Sequence, residues 1–216
     1  MGFNMSWIVV DGIDEGTLYD ALDLVATDEI PDPHDLGTSY VPLAGAALKS
    51  GWCAVFARYA LVMDATVGTT PARLMRLPKR SRCITCVVLE HAMVSYASLW
   101  QDGRYVWQIR HDPSEGIGHL AIRGDPPSAF GDFRNIAMEK QRAEQARRKP
   151  DGWGVDYVFD VPIDTAEAIG GYRHNLVIEN DFFRNLRTLK PADGNVLTRL
   201  SQPPAWWQTV GSMEYN

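Results

Sequence analysis

Residues 93–110 read MVSYASLWQ-DG-RYVWQIR. Two runs rich in β-formers flank Asp102-Gly103, a dipeptide that supplies the two positive φ angles of a type I′ turn. A two-residue turn sets Trp100 opposite Tyr105, Ser98 opposite Trp107 and Tyr96 opposite Ile109. Five of those six side chains are large and share one face, so that face is expected to meet the core. An antiparallel sheet built around this hairpin is the organising element.

Cys83 to Leu89 reads as a strand before the hairpin, and Leu120 to Arg123 as one after it, across the loop Asp112–Gly118. Trp7–Val10, Trp52–Tyr59 and Val155–Val161 carry the same signature. Asp14 caps a helix through about Leu24, with Leu18, Ala21 and Leu22 at helical spacing. Pro71 opens a short helix that Pro78 stops. Pro126-Pro127-Ser128 begins the longest helix, to about Lys149, with Phe130, Phe133, Ile136 and Ala137 as its apolar stripe and a polar second half.

Asp164 with Glu167 resembles a capping box for a helix that Gly170-Gly171 terminates, and Asp181 to Leu189 is expected to be helical. Residues 27–45, with three prolines and several acids, read as a surface loop. The expectation is an α+β fold: a mainly antiparallel sheet of about five to seven strands with three or four helices packed on it. One domain is expected over residues 1–190, followed by a tail, 191–216, that is extended or docked and carries Trp206-Trp207.

The chain has 216 residues, 45% hydrophobic and 22% charged, the balance of a folded globular protein. Three cysteines (Cys53, Cys83, Cys86) are too few and odd in number for a disulfide framework, which points to a reducing cytoplasm. The start, MGFNMSWIVVD, lacks the basic region and long apolar run of a signal peptide. Lys49 and Arg58 interrupt the most apolar region, Val41 to Met63, so a membrane span is not expected.

Common catalytic motifs do not assemble. Cys83 and Cys86 sit three apart on an expected strand and so point to opposite faces, with no further pair to complete four zinc ligands. Gly51-Trp52-Cys53 with a histidine base is a combination that any chain with these residues offers. Asp28, Asp32, His34 and Asp35 lack the ligand spacing of an EF-hand, and a solvated acidic loop explains them. Gly116-Ile-Gly118 leads towards a strand, whereas a dinucleotide fingerprint leads into a helix. Neither metal nor cofactor is expected, and an enzymatic role is left open.

Charge is unevenly distributed. The first 48 residues hold nine carboxylates and no Lys or Arg, while the chain totals −6, so the rest carries +3. The basic residues form two clusters, Arg73 to Arg82 and the polar half of the long helix from Lys140 to Lys149. The helix cluster complements the helix C-terminus, and a nucleic-acid partner is not expected from an acidic chain.

The chain carries Met5-Ser6-Trp7-Ile8, then Glu90-His91-x-Met93-x-Ser95 to Trp100, Trp107 and His111-Asp112, and further on Asp156-Tyr157-x-Phe159-x-x-Pro162 and Gly171-Tyr172-Arg173-His174. Together these motifs resemble a group of small bacterial proteins without an assigned activity, over roughly residues 5–175. The resemblance implies a bacterial cytoplasmic protein of one domain and carries no catalytic residues with it.

Three expectations follow. The leading one is a binding protein, an immunity or antitoxin-like inhibitor that captures a basic protein partner such as a nuclease toxin. Asp20, Asp23, Asp28, Glu29, Asp32 and Asp35 would present its carboxylates. The alternative is a small-molecule enzyme or sensor with a pocket beside the hairpin, lined by His91, His111, Tyr172, Arg173 and His174. The third is internal neutralisation, in which Asp20 or Asp23 lies against Arg73–Arg82 and the case for a partner weakens.

Overall fold

The antiparallel hairpin is the centre-right portion of a sheet with more strands than its sequence announces. A computed structural model describes residues 4–36, 40–41, 43–58, 70–147, 154–175 and 182–192. Its strands are β1 (Asn4–Val10), β2 (Leu24–Ala26), β3 (Leu43–Leu48), β4 (Cys53–Arg58), β5 (Arg82–Leu89), β6 (Val94–Gln101), β7 (Arg104–His111), β8 (Ala121–Gly124) and β9 (Phe183–Pro191). Its helices are α1 (Glu15–Ala21), α2 (Thr70–Leu74), α3 (Ala129–Arg147) and α4 (Asp160–Gly170). One nine-stranded sheet runs β2-β9-β3-β4-β1-β5-β6-β7-β8, and its ladders are antiparallel. The α+β antiparallel class therefore holds, with nine strands in place of five to seven.

The hairpin turn is as its dipeptide requires, with Asp102 at φ 50° and Gly103 at φ 80°. Trp100 faces Tyr105 edge to face at 4.8 Å between centroids. Beyond that pair the expected register fails. Leu99 faces Trp107, Ser98 faces Gln108 and Ala97 faces Ile109, because Val106 is an extra residue that bulges the ladder. The bulge turns Trp107 and Ile109 to the side opposite Trp100 and Tyr105.

That reversal matters because both faces of the sheet are buried. On one face Trp7, Phe56, Ile84, Cys86, Trp107 and Ile109 pack under α3 and α4. On the other, Ile8, Val10, Val55, Cys83 and Trp100 pack with Leu18 and Leu22 of α1. The expectation of one core face is replaced by two, with a large side chain needed on each.

Three strands were hidden for separate reasons. β3, LAGAAL, is made of small residues with little β preference, and it forms because the ring of Tyr19 lies across it. A Cβ on Gly45 would stand 2.5 Å from the Tyr19 hydroxyl, so only glycine admits that ring. β9 places Leu186 and Leu189 in opposite cores. Spacing of three mimics a helical face, but in a strand an odd offset reaches both sides of a sheet. β2 has only three residues and continues the ladder on β9.

The expected strand Val155–Val161 is instead a turn that enters α4. That helix begins at Asp160, with Pro162 tolerated in its first turn, so Asp164 and Glu167 are interior positions and form no capping box. It ends where the glycines require: Gly171, at φ 73°, donates its N–H to the Glu167 carbonyl at 2.8 Å. Gly170 lies so close to β1 that an added Cβ would stand 2.5 Å from Val9 Cγ2. In α3, Ile136 is 52% exposed and Gln141 is buried in the stripe. Among the described residues no helix is long and apolar enough to cross a membrane. Most of the expected tail, including Trp206-Trp207, lies outside the described residues.

Candidate functional site

The nine N-terminal carboxylates divide by what surrounds them. Asp14 caps α1, accepting from the Thr17 N–H at 2.7 Å, and that bond holds its carboxyl below the usual range. Asp11 accepts from the Arg82 backbone N–H at 2.8 Å and from Arg82 Nε at 2.6 Å. Asp23 binds Arg76 at 2.6 Å and Arg73 at 3.4 Å, and the Arg76 hydrogen bond, with the two guanidinium charges, keeps its carboxyl low. Internal neutralisation is thus present at Asp23. Glu15 accepts from Asn185 at 3.1 Å.

Asp20, Asp28, Glu29 and Asp32 are exposed, and none forms an ion pair among the described residues. Lys190 stands opposite Val25 on β9 without closing such a pair. Asp32 accepts from the His34 N–H at 2.9 Å, opening a short 3₁₀ turn, Pro33–Asp35, that includes Asp35. The same segment exposes apolar surface: Val25 is 39%, Ile30 68% and Tyr40 83% accessible. These residues belong to β2 and the chain that follows it, at one end of the sheet order. A stretch that exposes both carboxylates and aliphatic and aromatic groups is a candidate interaction surface.

Among the described residues, the expected pocket residues take separate local partners. His111 is fully buried at the end of β7; its Nδ1 lies 2.8 Å from the His119 carbonyl and its Nε2 2.9 Å from Asp156 Oδ2. A carbonyl only accepts, so His111 Nδ1 carries the proton between them. Asp156 Oδ1 accepts the N–H groups of Val158 and Phe159 at 3.1 and 3.2 Å, while Ser95 Oγ donates to the Phe159 carbonyl at 2.6 Å. The dyad fastens the turn before α4 to the sheet. The histidine is fully buried and its bonds tie three segments together, which is the arrangement of a clamp.

Tyr172 is buried against Phe56 at 4.7 Å and Trp7 at 5.3 Å. Arg173 lies along the acidic side of α4, bonded to Asp160 at 2.6 Å and to Asp164, with Glu167 at 3.6 Å. Burial pushes the Asp164 carboxyl up, against the pull of Arg173. His174 lies 3.2 Å from Glu90, and burial lowers its pKa despite that carboxylate. His91 meets Asn4 at 2.5 Å. Asp156, the partner of His111, has a legible signal: an acid shortly before a helix start that carries an early proline.

A cleft of about 160 Å³ lies beside the clamp, touched by Asp156, Val155, Glu144 and Ile117. That is well below the ~300 Å³ at which ligand sites begin. The thiols of Cys83 and Cys86 point into opposite cores, and burial raises both; the Cys53 thiol is raised to about 11 and donates to the Ile13 carbonyl at 3.2 Å. None is poised as a thiolate nucleophile. Among the described residues no three His, Cys, Asp or Glu side chains gather as a metal site, Asp28, Asp32, His34 and Asp35 included.

No family model, no curated protein and no solved structure matches this chain.

Proposed function

We propose that this chain is a binding protein that captures a basic protein partner through the acidic surface at the β2 end of its sheet, in the manner of an immunity or antitoxin-like inhibitor. One observation carries the reading. Asp20, Asp28, Glu29 and Asp32 stand exposed without an ion pair among the described residues, in a stretch of chain that also exposes Val25, Ile30 and Tyr40. Asp23 is held by Arg73 and Arg76, so the surface is narrower than the charge count of the segment suggests.

Apolar groups supply affinity at the centre of such an interface, and carboxylates around them steer a cationic partner and reject acidic ones. Placed over the Lys and Arg residues of a toxin active site, the same carboxylates would block it. Steering of this kind raises association rates about 10-fold to 1,000-fold and is screened beyond ~10 Å at 0.1 M salt.

The test replaces Asp28, Glu29, Asp32 and Asp35 together by their amides. Proteins captured from the native cell by the wild-type chain are identified by mass spectrometry, and association of the principal one is then timed from low to high salt. The wild type is expected to associate at least ~10-fold faster than the variant at low salt, with the rates converging at high salt. Equal rates for the two chains at low salt overturn the reading.

A further inference from the structure

The surface just described includes the edge of a sheet, and hydrogen-bond parity along that edge shows which backbone groups are offered outward. Thr27 donates its N–H to the Thr188 carbonyl at 2.9 Å, and Ala192 donates to the Asp23 carbonyl at 2.8 Å. Odd-numbered residues from Asp23 to Thr27 therefore turn their backbone groups towards β9; beyond them the ladder shifts, because Thr188 gives its N–H to the Glu29 carbonyl at 3.0 Å and the Glu29 N–H turns back to Thr27 Oγ1 at 3.3 Å. In an antiparallel ladder the alternate residues face the other way. Within β2 Leu24 and Ala26 direct theirs outward, and among the described residues no strand occupies that side. Val25 and Ala26 are both exposed, so the edge is open to approach.

We propose that β2 is a strand-addition site, where a basic extended segment of the partner pairs with Leu24 and Ala26 and lengthens the sheet by one strand. The proposal rests on the binding role proposed above and specifies its mode. Main-chain bonds at an edge accept any extended chain, so side chains must choose the occupant. Asp28 and Glu29 lie in the turn that directly follows the edge strand, with Asp32 farther along the chain. A second copy of this chain pairing β2 to β2 would bring those carboxylates against their equivalents, and like charges across a ladder repel. A segment carrying Lys or Arg meets them favourably. The opposite edge lacks this selectivity: β8 is a short strand bearing Arg123 and running into Pro126-Pro127.

The test uses a short peptide of alternating Lys and Thr, and the same peptide with its central amides N-methylated, which keeps the charge but removes ladder donors. Binding to the full chain is followed by fluorescence anisotropy, together with hydrogen exchange at Leu24 and Ala26. The unmodified peptide is expected to bind about 10-fold more tightly than the methylated one, as loss of ladder hydrogen bonds implies, and to protect both amides. Ala26→Pro is expected to erase the difference; its N–H is not used by β9, so proline is tolerated there.

Equal binding of the two peptides overturns strand addition and leaves electrostatic capture standing. Binding of neither also overturns strand addition, and the salt-dependent rates described above then decide the capture reading separately.

Discussion

Removing the carboxylate of Asp156 should loosen the α4 side of the sheet by an amount set by three bonds. Asp156→Ala strips the N–H groups of Val158 and Phe159 of their acceptor and leaves Nε2 of the fully buried His111 facing a void. Asp156 closes the turn before α4 and is not its cap, but the loss of an acceptor for two backbone N–H groups is comparable to the loss of a helix cap, about 0.5–2 kcal/mol. A buried polar group left without its partner costs about 1–3 kcal/mol more. The expected loss is therefore about 1.5–5 kcal/mol, read by urea denaturation as a lower midpoint at unchanged m value.

Asp156→Asn separates the parts. The amide oxygen still accepts from Val158 and Phe159, and the amide nitrogen can donate to His111 Nε2 in the neutral tautomer that the His119 carbonyl selects. Its expected cost is about 1 kcal/mol. The clamp would be refuted if the alanine variant stayed within ~1 kcal/mol of wild type, or if the asparagine variant lost as much as alanine.

Other substitutions test the bulge, the close helix contact and two ionisable groups. Gly124→Ala would put its Cβ 2.1 Å from the Val106 carbonyl at φ 72°; a loss of about 1–3 kcal/mol with faster hydrogen exchange in β8 is expected, and none if the bulge is misplaced. Gly170→Ala should destabilise, and Val9→Ala should partly rescue it, giving a double-mutant coupling of about 1 kcal/mol or more; additive effects would deny the contact. His174 has a folded pKa below its ordinary 6.5, so stability is fully present above about pH 6.5 and falls as pH drops through the folded value. An NMR titration should place His174 below 6.5, and His174→Gln should remove that part of the pH slope. For Asp23, whose folded pKa is lowered, stability is present above about pH 3.8 and is lost below it. Its ion pairs are exposed, so Asp23→Asn should cost at most ~1 kcal/mol at pH 7 by thermal or urea melts.

The N-terminal charge imbalance was legible from residue types, but its division was not. Asp23 becomes internally paired only because the chain after α1 lies beside Arg73 and Arg76, 50 and more positions away. His111 and Tyr172 both carry polar atoms on aromatic rings, which suits a pocket or a core equally well. Burial and partners decided between those roles: one closes a clamp and the other fills an aromatic cluster.

Local chemistry determined the elements whose instructions are contained within a few residues. Asp102-Gly103 makes its turn, Asp14 caps its helix and Gly171 ends another, because each acts through its own φ angle or nearest hydrogen bonds. Tertiary structure decided the features that depend on two faces being buried together. Val106 bulges so that Trp107 serves one core while Trp100 serves the other. β3 becomes a strand under the Tyr19 ring, and β9 replaces an expected helix because its leucines feed opposite sides of the sheet. Periodicity reports one buried face at a time; a sheet covered on both sides obeys a constraint that only the assembled layers impose.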